Sequence, residues 1–216
     1  MDGYERRKQA KVDKIFTASF PLFSKFGFHK VSVNEIARQA NVSPATIYNY
    51  FGTKEQLYLD MMADWMDKQL ERYESILDSD LSFPEKTREI MLAEAANVKL
   101  LAEAMPTAPF ADRGRLTQLL ETYGEGKVRD FFMKYAALGK REGFIRDGLS
   151  DETTAVYFNM YKNELGRLWG ATDAERPHRR IDMLMELFFY GLIGETPSAK
   201  SEKERTGRGA ESGERA

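Results

Sequence analysis

Ser32-Val-Asn-Glu-Ile-Ala-Arg-Gln-Ala-Asn-Val-Ser-Pro-Ala-Thr-Ile-Tyr-Asn-Tyr-Phe-Gly-Thr-Lys54 decides how the rest of the chain is read. Ser32 and Glu35 have the spacing of a capping box, in which each side chain satisfies a backbone N–H of the other at a helix start. Val33, Ile36, Ala37 and Ala40 then recur at i, i+3, i+4 and i+7, one apolar face of a two-turn helix, while Asn34, Arg38 and Gln39 face away. Ala37 is small where a second helix must cross close. Asn41 falls where the chain has to turn sharply, and asparagine accepts the left-handed conformation such a turn needs. Ser43 is a second N-cap and Pro44 sits at the first helical position, where its missing N–H costs nothing. Ile47, Tyr50 and Phe51 share the inner stripe of this second helix, which leaves Ala45, Thr46, Tyr48 and Asn49 on its outer face. Gly52 ends it, and Thr53 with Gln56 caps a third helix whose first turn contains Lys54. Two short helices, a tight turn and a small polar outer face form the arrangement that lays a helix in a DNA major groove.

Working outward, Phe23-Ser-Lys-Phe-Gly27-Phe28, Val31-Ser-Val-Asn-Glu-Ile-Ala37, Val42-Ser-Pro-Ala-Thr-Ile-Tyr48-Asn-Tyr-Phe51 and Lys54-Glu55 together resemble the DNA-binding domain of TetR-family transcriptional regulators. The resemblance runs from about Val12 to Leu57 without a gap. It implies an all-α fold of about nine helices: an N-terminal three-helix DNA-binding domain with the helix-turn-helix, then a larger helical ligand-binding and dimerisation domain. The corresponding division is 1–55, 56–195 and a disordered tail, 196–216. It further implies a homodimeric repressor that binds a pseudo-palindromic operator and is released by a small apolar or amphipathic effector. Activation, or regulation without an effector, is the alternative.

Composition is that of an ordinary globular chain: 42% hydrophobic and 31% charged over 216 residues. The absence of cysteine removes disulfides, thiolate nucleophiles and cysteine-based zinc sites. No apolar run approaches the ~18 residues of a membrane helix, and the N-terminus lacks a signal-peptide core, so the expected location is the cytoplasm, away from membrane. A net charge of −2 argues against nucleic acid only until its distribution is examined. Residues 1–57 hold nine Lys or Arg against five Asp or Glu, and 58–195 hold eighteen against twenty-five. The positive end coincides with the helix-turn-helix, where counterion release from phosphate supplies non-specific affinity.

Helical periodicity continues almost throughout. Val12, Ile15, Phe16, Ser19, Phe23 and Phe26 mark one face of a first helix starting near Glu5, with a kink expected at Pro21 and a stop at Gly27. A fourth helix is expected from Thr53 to about Asp78, and Ser82-Phe-Pro-Glu85 caps a fifth. Met105 to Gly114 reads as a proline-broken loop, Gly124 and Gly126 as breaks, and Lys127 to Arg141 as a helix. Glu142-Gly-Phe-Ile-Arg resembles the turn before the penultimate helix of TetR-family proteins. The last two helices are expected at Asp151 to Gly170 and Pro177 to Gly191. From Thr196 the chain has no aliphatic residue larger than alanine, which predicts disorder.

Candidate DNA contacts divide by chemistry. Pro44, Ala45, Thr46 and Asn49 are placed for base edges: a methyl can meet the thymine methyl, and asparagine can pair with adenine. Tyr48 points outward and its phenol can donate to phosphate, whereas Tyr50 serves either the core or the groove. Ser32 and Val33 can offer backbone N–H groups to phosphate at a helix N-terminus, with His29 and Lys30 as neighbours. Lys54 opposes the dipole of its own helix unless an anion lies nearby, and the family resemblance implies that it grips a phosphate.

One head reads only a half-site, so specificity requires two copies about one DNA turn (~34 Å) or a multiple of it apart. Met160, Leu165, Leu168 and Trp169, with Ile181, Leu184, Met185, Phe188, Phe189 and Leu192, supply more apolar surface than a peripheral helix needs, and in the family the last two helices pair with their mates. Met61, Met62, Trp65, Phe131, Phe132, Tyr135, Tyr157 and Tyr161 are candidates for an effector pocket, with plain core as the competing role. For an enzyme the parts are missing: His29 and His178 are the sole histidines, no phosphate loop or dinucleotide fingerprint occurs, and neither catalytic residues nor a metal or cofactor is expected. A helical enzyme with a carboxylate-based site is the remote alternative.

Overall fold

The caps and periodicities are realised in the computed structural model, which describes residues 3–104, 113–170 and 177–192. Its elements are α1 (Gly3–Phe26), α2 (Val33–Ala40), α3 (Pro44–Phe51), α4 (Lys54–Leu77), α5 (Phe83–Ala104), α6 (Arg113–Tyr123), α7 (Arg129–Arg141), α8 (Asp151–Gly170) and α9 (Pro177–Leu192). Among the described residues no strand occurs. Most of the expected Met105 to Gly114 loop and all of the tail beyond Thr196 lie outside the described residues.

Cap chemistry places the boundaries. At α2, Ser32 Oγ accepts from Glu35 N at 3.2 Å and Ser32 N donates to Glu35 Oε2 at 2.8 Å, so the capping box is complete. Asn41 closes that helix with φ 54°, and Val42 N returns to the Ala37 carbonyl at 2.9 Å. Gly27 ends α1 at φ 80°, its N–H reaching the Phe23 carbonyl. Thr53 caps α4 through Gln56 N at 3.0 Å, and at α5 Ser82 N donates to Glu85 Oε2 at 2.9 Å. α1 runs through Pro21 as one helix, with the proline on its exposed side. One expectation changes. Gly124 and Gly126 do not break the chain: Gly124–Val128 forms a π-helical turn, which carries α6 directly into α7 by widening one turn.

The described residues divide into two compact units, one within 1–72 and 96–123, the other within 73–95 and from 124 onward. The first is built on Ile15, Phe16, Phe23, Phe28, Ile36, Ile47, Leu57 and Met61, all buried. Rings bind it together: Phe16 meets Phe51 at 5.6 Å, and Phe28 meets Phe23 at 5.6 Å and Tyr58 at 5.5 Å. The second is centred on Phe83, Phe132, Tyr135, Ile145 and Phe158. There Tyr135 is fully enclosed, stacked on Phe83 at 5.0 Å and hydrogen-bonded to Thr87 Oγ1 at 2.9 Å, which satisfies its buried hydroxyl. Gly139 of α7 lets Phe83 and Ile145 approach so closely that a Cβ would stand 2.6 Å from Phe83 Cζ and 2.7 Å from Ile145 Cδ1.

Candidate nucleic-acid interface

The candidate recognition surface is made by the same pattern that makes the core. Ile47 and Phe51 turn one face of α3 inward, where they are buried with Ile36, Ala37 and Ala40 of α2. The opposite face carries Pro44, Ala45, Tyr48 and Asn49, all exposed, at i, i+1, i+4 and i+5. Tyr48 is 52% exposed, a high value for a large ring, and this is the geometry a phenol needs to reach a phosphate. Tyr50 is half-buried against the core of the first unit, 6.2 Å from the Phe51 ring.

Hydrogen bonds restrict what the helix ends can offer. Ser32 has its backbone N–H and its hydroxyl both directed at Glu35 Oε2, at 2.8 Å each, so neither is free for an anion. These bonds hold the exposed Glu35 carboxyl below its ordinary range and keep a negative charge at the α2 N-terminus. Val33 is buried, so its contribution to a contact is its backbone alone. At α3, Ser43 Oγ accepts from Thr46 N at 3.1 Å and lies 2.8 Å from Thr46 Oγ1. The Thr46 hydroxyl is therefore tied to the cap, and the methyl is its group best placed for a base.

Lys54 occupies a more specific position than its sequence context indicates. Its Nζ donates to the carbonyls of Phe28 and Val31, both at 3.0 Å, and lies 4.2 Å from the centre of the Phe28 ring. Two of its three N–H groups are thus used inside the protein. Backbone carbonyls carry no side-chain signature, which is why the pattern of residue types did not reveal this role. Around the interface, Arg6, Arg7, Lys8, Lys11 and Lys14 of α1 and His29 and Lys30 of the following loop are exposed.

The pocket candidates fall into two groups. Met61 and Met62 are buried in the first unit, where they line a small cleft with Phe20, Phe23, Ser24, Tyr58 and Leu100; Trp65 stacks on Phe20 at 5.8 Å. Phe131, Phe132 and Tyr135 are buried in the second unit, and Tyr157 and Tyr161 are half-buried beside Phe188, at 5.4 and 4.0 Å. Tyr161 OH is directed at Met185 Sδ, and burial raises both its phenol and that of Tyr135. In this unit Tyr73 OH donates to Glu94 Oε2 at 2.5 Å, and burial raises the Glu94 carboxyl. Among the described residues no group of three or more His, Asp or Glu side chains is placed to hold a metal ion.

The candidate dimer residues also divide. Met185, Phe188 and Phe189 are buried within the second unit, Phe188 meeting Phe132 at 5.0 Å, and Leu184 is half-buried. Met160 is 67% exposed, and Val156 on α8 with Met183, Leu187 and Tyr190 on α9 share that exposure. An apolar α9 with residues at successive positions serves both sides of the helix, and period alone did not assign which side faced out. The side chains of Leu165, Leu168, Trp169, Ile181 and Leu192 lie outside the described residues.

Residues 15–61 match the family described as bacterial regulatory proteins, tetR family. The chain is 31% identical over 81 residues to the fatty acid metabolism regulator protein of Bacillus subtilis, an alignment covering 38% of this chain and 42% of that protein. It is 28% identical over 112 residues to the HTH-type transcriptional regulator UidR of Escherichia coli, covering 49% and 57%. The chain thus spans about half the length of these curated relatives. In fold it is similar to the transcriptional regulator FadR from Bacillus subtilis in complex with stearoyl-CoA, with a TM-score of 0.56 and 21% identity over 82% of this chain and 97% of that one.

Proposed function

This chain belongs to the TetR family of bacterial regulatory proteins, and from that premise we propose that it is a homodimeric transcriptional repressor, which binds a pseudo-palindromic operator and is released by a small apolar or amphipathic effector. The observation that carries the reading is α3, whose buried Ile47 and Phe51 leave Pro44, Ala45, Tyr48 and Asn49 as one exposed face. In this reading Ala45, Asn49 and the Thr46 methyl meet base edges, and Tyr48, the Val33 N–H and the remaining N–H of Lys54 meet phosphate. Tyr50 supports the head from within, and Ser32 contributes as a cap. The division into a DNA-binding domain at 1–55 and an effector and dimerisation domain at 56–195 belongs to the same proposal, as do action in the cytoplasm and a non-enzymatic role. Among the described residues no helix is long and apolar enough to cross a membrane.

A second copy would dock on the exposed stripe of Val156, Met160, Met183, Leu187 and Tyr190, since Met185, Phe188 and Phe189 are already used by the protomer's own core. The effector would act in the aromatic and methionine-rich helical body. A fatty acid metabolism regulator and a stearoyl-CoA complex among the similar proteins support an amphipathic, acyl-bearing molecule.

Selection of bound duplexes from a random pool, followed by titration of the enriched site, tests the proposal. The expected result is an inverted repeat bound by two protomers with affinity falling steeply as salt rises. Thr46→Ala and Asn49→Ala should each lose about 1–3 kcal/mol on that site and relax base preference. Enrichment of no sequence, together with a flat salt response, would overturn the reading.

A further inference from the structure

Lys54 stands at the first position of α4 and reaches back twenty-three and twenty-six residues to the Val31 and Phe28 carbonyls, both at 3.0 Å. Those carbonyls bracket the exposed His29 and Lys30 in the connection between α1 and α2. Val31 directly precedes Ser32, the N-cap of α2, so a bond to its carbonyl fixes where α2 begins. The contact is not a chance meeting of a long side chain with a loop. The ammonium also lies over the Phe28 ring at 4.2 Å, and one turn further along α4 Tyr58 packs edge-on against the same ring at 5.5 Å. Lys54 and Tyr58 therefore hold the connection from one face of α4, the first by charge-assisted hydrogen bonds and the second by apolar contact.

An ammonium at a helix N-terminus is opposed by the helix dipole, so a purely solvated lysine there would be mildly unfavourable. Two carbonyl oxygens and a ring face supply the negative potential that offsets it within the protein. The same two bonds leave the ammonium one N–H for an outside ligand, and a single donor makes a weaker anion clamp than a free lysine.

We propose that Lys54 is a positioning residue for DNA recognition: it latches the α1–α2 connection to α4 through the Phe28 and Val31 carbonyls and so sets the placement of α2 and, through the α2–α3 turn, of the α3 reading face. The proposal rests on the reading of α3 as the DNA-contacting helix, and it assigns to Lys54 a task that acts through the backbone, in addition to any phosphate contact. A lysine acting only by charge and a lysine acting through the loop differ in two measurable ways. The first removes one counterion from the binding equilibrium in each half-site. The second loosens a defined backbone segment even when no DNA is present.

The test uses the full chain and Lys54→Met. Amide hydrogen exchange of the free protein is expected to rise by about tenfold or more in residues 28–35, while exchange in the middle of α1, around Ile15 to Phe23, stays as in the parent. On the selected operator the affinity should fall at every salt concentration, with the slope of log K against log salt lowered by no more than the about 0.9 per half-site of one lost phosphate contact. Unchanged exchange in 28–35, together with a slope reduced by about 0.9 per half-site, would overturn the latch and leave Lys54 as a phosphate contact alone. If Lys54→Met unfolds the unit as a whole, Lys54→Gln, which keeps one carbonyl donor, is read by the same criteria. Because exchange is measured without DNA, it decides the latch even if no operator is found, whereas the absence of any operator bears on the α3 reading instead.

Discussion

At the scale of single residues the chain is governed by a few side chains with one conformational or electrostatic task each. Asn41 is the single non-glycine residue with positive φ among the described residues, and it occupies the turn on which the α2–α3 geometry depends. Asn41→Gly should leave stability within a few tenths of a kcal/mol of the parent, while Asn41→Ala or Asn41→Val should cost about 1–2 kcal/mol in urea unfolding. Equal losses in the three variants would show that the asparagine side chain, not its backbone conformation, matters. Glu94 is the second such residue. Burial raises its carboxyl above the ordinary glutamate value, an effect opposed by the hydrogen bond from Tyr73. A raised acid binds its proton more tightly in the folded state than in the unfolded one, so this stabilisation is fully present below the unfolded value and is lost as pH rises through the folded one. Glu94→Gln, which mimics the protonated form, should therefore melt higher than the parent near pH 8. The difference should vanish as pH falls through the ordinary carboxylate range, and a constant offset across pH would contradict the assignment.

At the scale of elements, four helix starts are legible directly, because caps are local and the residues that make them adjoin the helix they begin. Ser32, Ser43, Thr53 and Ser82 all serve as read. Gly124 and Gly126 depart from the expected breaks for the opposite reason: whether a glycine ends a helix or is absorbed in a π-turn depends on what packs across it, and Lys162 Cδ lies 3.2 Å from where a Cβ of Gly124 would be. Gly139 shows how such a neighbour can reverse intrinsic preference. Alanine is the better helix former by ~1 kcal/mol, yet Gly139→Ala should destabilise the protein by about 1–3 kcal/mol, because Phe83 and Ile145 already fill the space of its methyl. A rise in the unfolding midpoint would mean that the α5–α7 contact is softer than its distances imply.

At the scale of the whole molecule the reading requires two heads on one operator, and the exposed α8 and α9 side chains are where it can be tested without DNA. Met160→Lys and Leu187→Lys, at positions 67% and 64% exposed, should leave the protomer folded and shift sedimentation toward the monomer, with loss of operator binding. Phe188→Lys should instead unfold the second unit, since that ring is buried against Phe132 and Tyr161. If Met160→Lys and Leu187→Lys stayed dimeric at low protein concentration, the mate would have to dock elsewhere. The sequence by itself determined the helix-turn-helix, because its caps, its left-handed turn residue and its two apolar stripes lie within twenty-three consecutive residues and each acts on its near neighbours. It also determined that Ala45, Tyr48 and Asn49 share an outer face, since the order of apolar residues along one short helix sets its inner stripe. Tertiary structure alone decided the rest. Only packing shows that the Lys54 ammonium is taken by carbonyls more than twenty residues away, or that Met185, Phe188 and Phe189 face inward while Met183, Leu187 and Tyr190 face out. The physical reason is the same in both cases: backbone acceptors are identical at every residue, and an α9 apolar on more than one side has no single inner face until its neighbours bury one of them.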